Sequence, residues 1–109
     1  MLLAFDMFTE KQKQLLKQQL VDSLRAESEI CRIVIFGSFV NSDNPRDLDV
    51  AVFQDSDNKY LPLAMKYRKM TRELARIIPL DIIPLKAGVK DGFFMDEIES
   101  GEVIYERAD

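Results

Sequence analysis

The tightest constraint on this chain is the stretch from Ile33 to Phe53, IVIFGSFVNSDNPRDLDVAVF. Two short apolar, β-branched runs, RIVIF (32–36) and LDVAVF (48–53), read as strands, because such residues suit a pleated, buried surface. The first run ends at Gly37. The FVNSDNPRD that follows is dense in Asn, Ser, Asp and Pro, which is loop chemistry. Around the second run, strand alternation puts Leu48, Val50 and Val52 on one face and Asp47, Asp49 and Ala51 on the other. Two carboxylates therefore project side by side, about 7 Å apart at Cα by the rise per residue. Like charges held this way disfavour joint ionisation unless solvent or a cation compensates.

The flanking segments set the fold class. Thr9 followed by EKQKQLLKQQLVDSLRAES predicts a helix with Thr9 as N-cap, with Leu16, Leu20 and Leu24 in one stripe and a solvated Lys/Gln surface elsewhere. The pattern from Asn58 to Ile78 predicts a second, long helix whose apolar face carries Leu63, Tyr67, Met70, Leu74, Ile77 and Ile78. Arg68, Lys69, Arg72 and Arg76 fall on its opposite face. Pro62 fits the first turn and Pro79 blocks continuation. LDIIPL (80–85) is a third strand, and Pro84 argues against a central position at that end. A short helix is expected over Phe94 to Glu99, stopped by Gly101 and followed by an exposed VIY end. The order helix, strand, strand, helix, strand, helix indicates one α+β domain on a small mixed sheet, spanning residues 1–109.

Composition excludes several chemistries. The 109 residues contain one cysteine, Cys31, and no histidine. Ser/His and Cys/His nucleophile pairs, most zinc sites and any intramolecular disulfide are thereby removed. Cys31 precedes an apolar run and reads as a buried small hydrophobe. No apolar run is long enough to span a membrane, and MLLAFDMF makes a poor signal peptide, so a cytoplasmic location is expected. The net charge of -4 argues against a general duplex-DNA binder. Charge is nevertheless segregated. Asn58 to Lys90 holds eight Lys/Arg against two acids, and Asp91 to Asp109 holds seven acids against Arg107 alone. The basic helix face is either solvated or a contact surface for RNA or an acidic partner.

Oxygen-only ligation at Asp47 and Asp49 favours Mg²⁺ or Mn²⁺, and Mg²⁺ is typically held by one or two carboxylates together with substrate phosphates. Asp81, on the face of its strand opposite Leu80 and Ile82, completes an acid cluster if its strand neighbours the second. It can then accept a proton from an attacking hydroxyl. Gly37 allows a phosphate close to the backbone, Ser38 offers a hydroxyl, and free N-H groups of a following helical turn would favour an anion. GSFVNSDN lacks the Gly-Lys-Ser/Thr ending of a Walker A loop and the glycines of a dinucleotide fingerprint.

Gly37-Ser38-Phe39, then DLDVAVF, then LDII resembles the minimal nucleotidyltransferases of the DNA polymerase beta superfamily, from about Ile33 to Glu106. The resemblance implies a polymerase beta-like mixed-sheet domain that takes ATP or another nucleoside triphosphate with two metal ions. By position, Gly37 and Ser38 would hold phosphates, Asp47 and Asp49 the metals, and Asp81 would serve as third ligand or base. Such domains are often paired with a helical ribonuclease toxin, and some transfer AMP onto a tyrosine of it, so the resemblance implies a partner protein of that kind. A homo-oligomer is left open. The small-basic-Gly tripeptide usual in the family is Val40, Asn41 and Ser42 here, and Arg46, which stands where a serine is common, would be the substitute phosphate-binding cation. Two readings follow: a nucleotidyltransferase acting on a protein or RNA hydroxyl, and a module that neutralises a partner by contact alone. Tyr60, Tyr67 and Tyr105 are candidate acceptors with core or rim packing as the plainer reading. Phe93, Phe94 and Tyr105 form a candidate docking surface.

Overall fold

The computed structural model describes residues 8–92 and 94–108. Phe93 of the expected docking surface and most of the N-terminal MLLAFDMF lie outside them. The first helix, α1 (Glu10–Leu24), starts where its cap dictates: the Thr9 hydroxyl accepts from the Gln12 N-H at 3.1 Å, and the Gln12 side chain accepts from the Thr9 N-H at 2.8 Å. This reciprocal box satisfies two otherwise orphaned donors. After it come β1 (Ile30–Phe36), α2 (Ser38–Asn41) and β2 (Leu48–Gln54). Next are α3 (Tyr60–Met70), α4 (Arg72–Ala75), β3 (Leu80–Lys86), α5 (Met95–Glu99) and β4 (Glu102–Glu106). The strands form one sheet in the order β3-β2-β1-β4, with β1 antiparallel to both neighbours and β2 parallel to β3. The parallel pair needs a crossover, and α3 with α4 supplies it. The α+β class and mixed sheet are as the pattern predicts.

The sheet is covered on both faces, which is why β1 and β2 read as nearly continuous apolar runs. Leu16, Leu20 and Leu24 of α1, with Leu63 and Tyr67 of α3 and Leu74 of α4, pack on Ile33, Ile35, Leu48, Val50, Val52 and Ile82. Each such aliphatic side chain, once fully buried, contributes about 1.5–3 kcal/mol before conformational entropy is counted. On the other face, Met95 and Ile98 of α5 cover Val34, Phe36, Ala51 and Phe53. β3 is an edge strand, which tolerates Pro84.

Four expectations change. The single helix from Asn58 to Ile78 is two, interrupted at Thr71, whose buried hydroxyl donates to the Tyr67 carbonyl at 2.8 Å and competes with the helical ladder. Past that break Ile77 turns out to solvent. The FVN of the expected loop lies in the helical turn that follows Gly37, because Phe39 is anchored in the core while the Asn41 and Ser42 N-H groups bond back to Gly37 and Ser38. The VIY end is the strand β4, paired with β1. Gly101 makes this pairing sterically feasible, since a Cβ there would collide with the Ile35 carbonyl oxygen. Cys31 is half-buried rather than buried.

One polar junction ties the layers together. Glu29, just before β1, accepts from the Tyr67 hydroxyl at 2.8 Å and from Lys66 Nζ at 2.7 Å. Burial works to raise the Glu29 pKa, but these bonds outweigh it and hold the carboxyl below its usual value. Burial, and then Glu29, push the Tyr67 phenol far up. A depressed acid contributes stability that is present above its unfolded pKa and is lost as pH falls through the folded one. Tyr67→Phe is expected to lower stability by about 1–2 kcal/mol in urea unfolding. The gap between wild type and Glu29→Gln should be open at neutral pH and close on acidification below the usual carboxylate range.

Candidate active site

Three elements bring the site together. β1 ends at Phe36, whose register partner in β2 is Asp49. On its other side β2 pairs in parallel with β3, and there the partner of Asp49 is Asp81. The register is pinned at its start by a 2.8 Å bond from the Leu48 N-H to the Pro79 carbonyl. Adjacent strands lie about 4.8 Å apart, so Asp49 and Asp81 are nearest cross-strand neighbours on the same face. Asp47 sits exposed immediately before β2, and Asp81 is also exposed, whereas Asp49 is half-buried. Ala51 and Phe53 continue the Asp49 face under α5.

Gly37 forms the wall beside Asp49. Its backbone lies at φ 79° and ψ -152°, a region open essentially only to glycine. A Cβ placed on it would stand 2.6 Å from Asp49 Oδ2, so the carboxylate packs directly against the glycine. Ser38, the first residue of α2, is exposed next to it. Arg46 is exposed and lines a shallow concavity with Asn44, Ile77 and Pro79, whose lining includes none of the three aspartates. A more enclosed cavity of about 300 Å³, between Arg32, Phe53, Met95 and Gly101, is likewise separate from them. Asp47 and Asp81 are exposed to solvent, and Asp49 is the half-buried member of the three.

Their electrostatics are unbalanced. The pKa of Asp49 is raised, first by burial and then by the charges of Asp81, Asp47 and Glu97. Glu97 comes from α5 and is an addition that no strand pattern could reveal, since only the packing of α5 on the sheet brings it near. The ion pairs among the described residues involve none of the three aspartates. Also among the described residues, no three acids, histidines or cysteines stand close enough to hold a metal ion by themselves. The donor set fits a hard divalent cation whose remaining ligands are phosphate oxygens and water.

The same features bound what substitution can do. Gly37→Ala is expected to lower stability by about 1–3 kcal/mol, read by urea unfolding, because the new methyl must displace Asp49 and the backbone is strained. A carboxyl with a raised folded pKa stabilises fully below its unfolded pKa and loses that contribution as pH rises through the folded one. Asp49→Asn is therefore expected to raise the melting temperature at pH 7 without divalent ions. The advantage should vanish in melts run below the usual carboxylate range.

The comparisons with known proteins agree with the fold. Residues 18–109 match the family model described as polymerase beta, nucleotidyltransferase. No curated protein matches the chain. Among solved structures it is similar to a chain of the toxin-antitoxin complex MntA-HepT, with a TM-score of 0.56 at 17% identity. That alignment covers 86% of this chain and 73% of the other, and at such identity it shows a shared fold. With the family match running over most of its length and across every element from the middle of α1 to β4, this chain belongs to the polymerase beta nucleotidyltransferase family.

Proposed function

We propose that this chain transfers a nucleoside monophosphate, AMP from ATP, onto a hydroxyl of a partner protein in a reaction dependent on Mg²⁺ or Mn²⁺. The observation that carries the reading is the parallel register that sets Asp49 beside Asp81, with Gly37 closed against Asp49. Asp47 and Asp49 would hold the metal ions, with Asp81 as third ligand or as base. When bound, the ions neutralise phosphate charge and stabilise the leaving pyrophosphate. Asp81 accepts the proton of the acceptor hydroxyl as its oxygen bonds to the α-phosphorus and the bond to pyrophosphate breaks. Gly37 keeps the wall thin enough for a phosphate, Ser38 offers a hydroxyl donor, and Arg46 is the nearest exposed cation in sequence. The fold shared with a toxin-antitoxin component supports a protein acceptor, and a helical toxin is the partner class proposed.

A second reading, neutralisation by contact alone, draws on the turn after Ser38. Val40 packs toward the core and the Asn41 side chain donates to the Gly37 carbonyl at 3.2 Å, so neither presents a cation to a phosphate. One assay separates the readings. Label from an α-labelled nucleoside triphosphate and Mg²⁺ is followed into the macromolecules of a cell lysate, beside Asp47→Asn and Asp49→Asn. Transfer to a protein by the intact chain, and a loss of at least about 100-fold in each variant, is expected if both carboxylates hold metal. Undiminished transfer by both variants would overturn the catalytic assignment. Absence of label together with absence of nucleotide binding would favour the contact-only module.

A further inference from the structure

The inner stripe of α1 contains one charged residue. Lys13 is 6% exposed and lies three, seven and eleven residues before Leu16, Leu20 and Leu24, on the face that packs against the sheet. Lys13 is thus not part of the Lys/Gln surface expected for the rest of the helix. Lysine is almost never fully buried without partners, and its partners are both main-chain groups. Nζ donates to the Phe39 carbonyl at 3.0 Å and to the Ser42 carbonyl at 2.6 Å, and it stands 5.4 Å from the centre of the Phe39 ring. Phe8, just ahead of α1, adds an N-H bond to the Asp43 carbonyl at 3.3 Å and a ring 6.4 Å from that of Phe39.

Both carbonyls belong to the segment that starts with Gly37 and Ser38. Two charge-assisted bonds from one ammonium to carbonyls three residues apart set the tilt of that segment as well as its distance from α1. Burying an ammonium is strongly unfavourable until its partners compensate, and a methionine of similar shape would fill the space without that cost. What lysine adds is direction. It approaches from the face covered by α1, whereas Asp49 projects on the opposite face, so Lys13 acts on the site only through the main chain. The turn itself offers Val40, Asn41 and Ser42, with no cation of its own to hold it.

We propose that Lys13 is a positioning residue of the nucleotide site: by clamping the carbonyls of Phe39 and Ser42 it holds the Gly37-Ser38 turn against Asp49, and nucleoside triphosphate affinity depends on it without contact. This rests on the nucleotidyltransferase reading. The test is calorimetric titration of the full chain with Mg²⁺ and ATP, comparing wild type, Lys13→Met and Leu24→Ala, with melting temperatures measured in parallel. Leu24 lies at the far end of α1 and reports a loss of stability alone. Lys13→Met is expected to weaken binding by about tenfold or more, while Leu24→Ala lowers the melting temperature and leaves affinity within about twofold. Affinity unchanged in folded Lys13→Met, or reduced equally in both variants, would overturn the role of Lys13 and leave the nucleotidyltransferase reading standing. Absence of binding by wild type would instead overturn that reading, and this inference with it. Should Lys13→Met not fold at the assay temperature, Lys13→Leu, which likewise removes the donors to the Phe39 and Ser42 carbonyls, takes its place with the same outcomes.

Discussion

The pairing of β2 with its two neighbours is the constraint on which the rest of the structure depends. β2 lies between β1 and β3, antiparallel to one and parallel to the other, and is packed on both faces. Its register follows from that burial. A slip of one residue would move Leu48, Val50 and Val52 out of the larger cluster and turn Asp49 into it. The same register leaves Asp49 opposite Phe36 on one side and opposite Asp81 on the other. Core formation therefore also sets Asp49 beside Asp81, driven by apolar burial rather than by attraction between these two carboxylates, whose charges oppose one another.

That repulsion locates the tension in the fold. Asp49 is half-buried next to other acids, and Gly37 occupies a backbone region that other residues enter only under strain. Violations of local rules tend to gather at functional sites, where surrounding structure over-determines them. The over-determination is visible here. Phe39 is buried below the turn, Lys13 bonds its carbonyls, and the Asn41 side chain bonds the Gly37 carbonyl. The site residues are thus held by groups that do not share their charge and lie mostly on the other face of the sheet.

The surfaces left over differ in character. Arg68, Lys69, Arg72 and Arg76 are exposed along α3 and beyond, and the Arg76–Glu73 pair there is too solvated to contribute much. On the opposite flank, β4 begins and ends with Glu102 and Glu106, and β3 carries Pro84. Charge at one edge and proline at the other discourage indiscriminate strand pairing. Of the aromatic residues expected to form a docking surface, Phe94 is exposed and stands 6.1 Å from the Phe36 ring, while Tyr105 packs against the main core. Tyr67 is fully buried, as its place on the apolar stripe indicated.

Much of this was legible in the order of residues because it depends on local periodicity and on backbone rules that act within a few positions. Thr9 marked the start of α1, alternation separated Asp49 from its apolar neighbours, Pro84 signalled an edge, and the Gly37-Ser38 turn stood out between two strands. Even Lys13 left a trace, since the stripe of Leu16, Leu20 and Leu24 extends backward onto it. Periodicity could not show which distant groups would meet. The parallel register that joins Asp49 to Asp81, the arrival of Glu97 from α5, the pairing of β4 with β1 and the two carbonyls that satisfy Lys13 all join segments far apart in the chain. Sequence alone determined which residues could serve as strand, cap, turn and ligand, because those preferences are written in each side chain and its near neighbours. Only the tertiary structure decided which of them stand together, because apolar burial on both faces of β2 selects one register among the many that local preference allows.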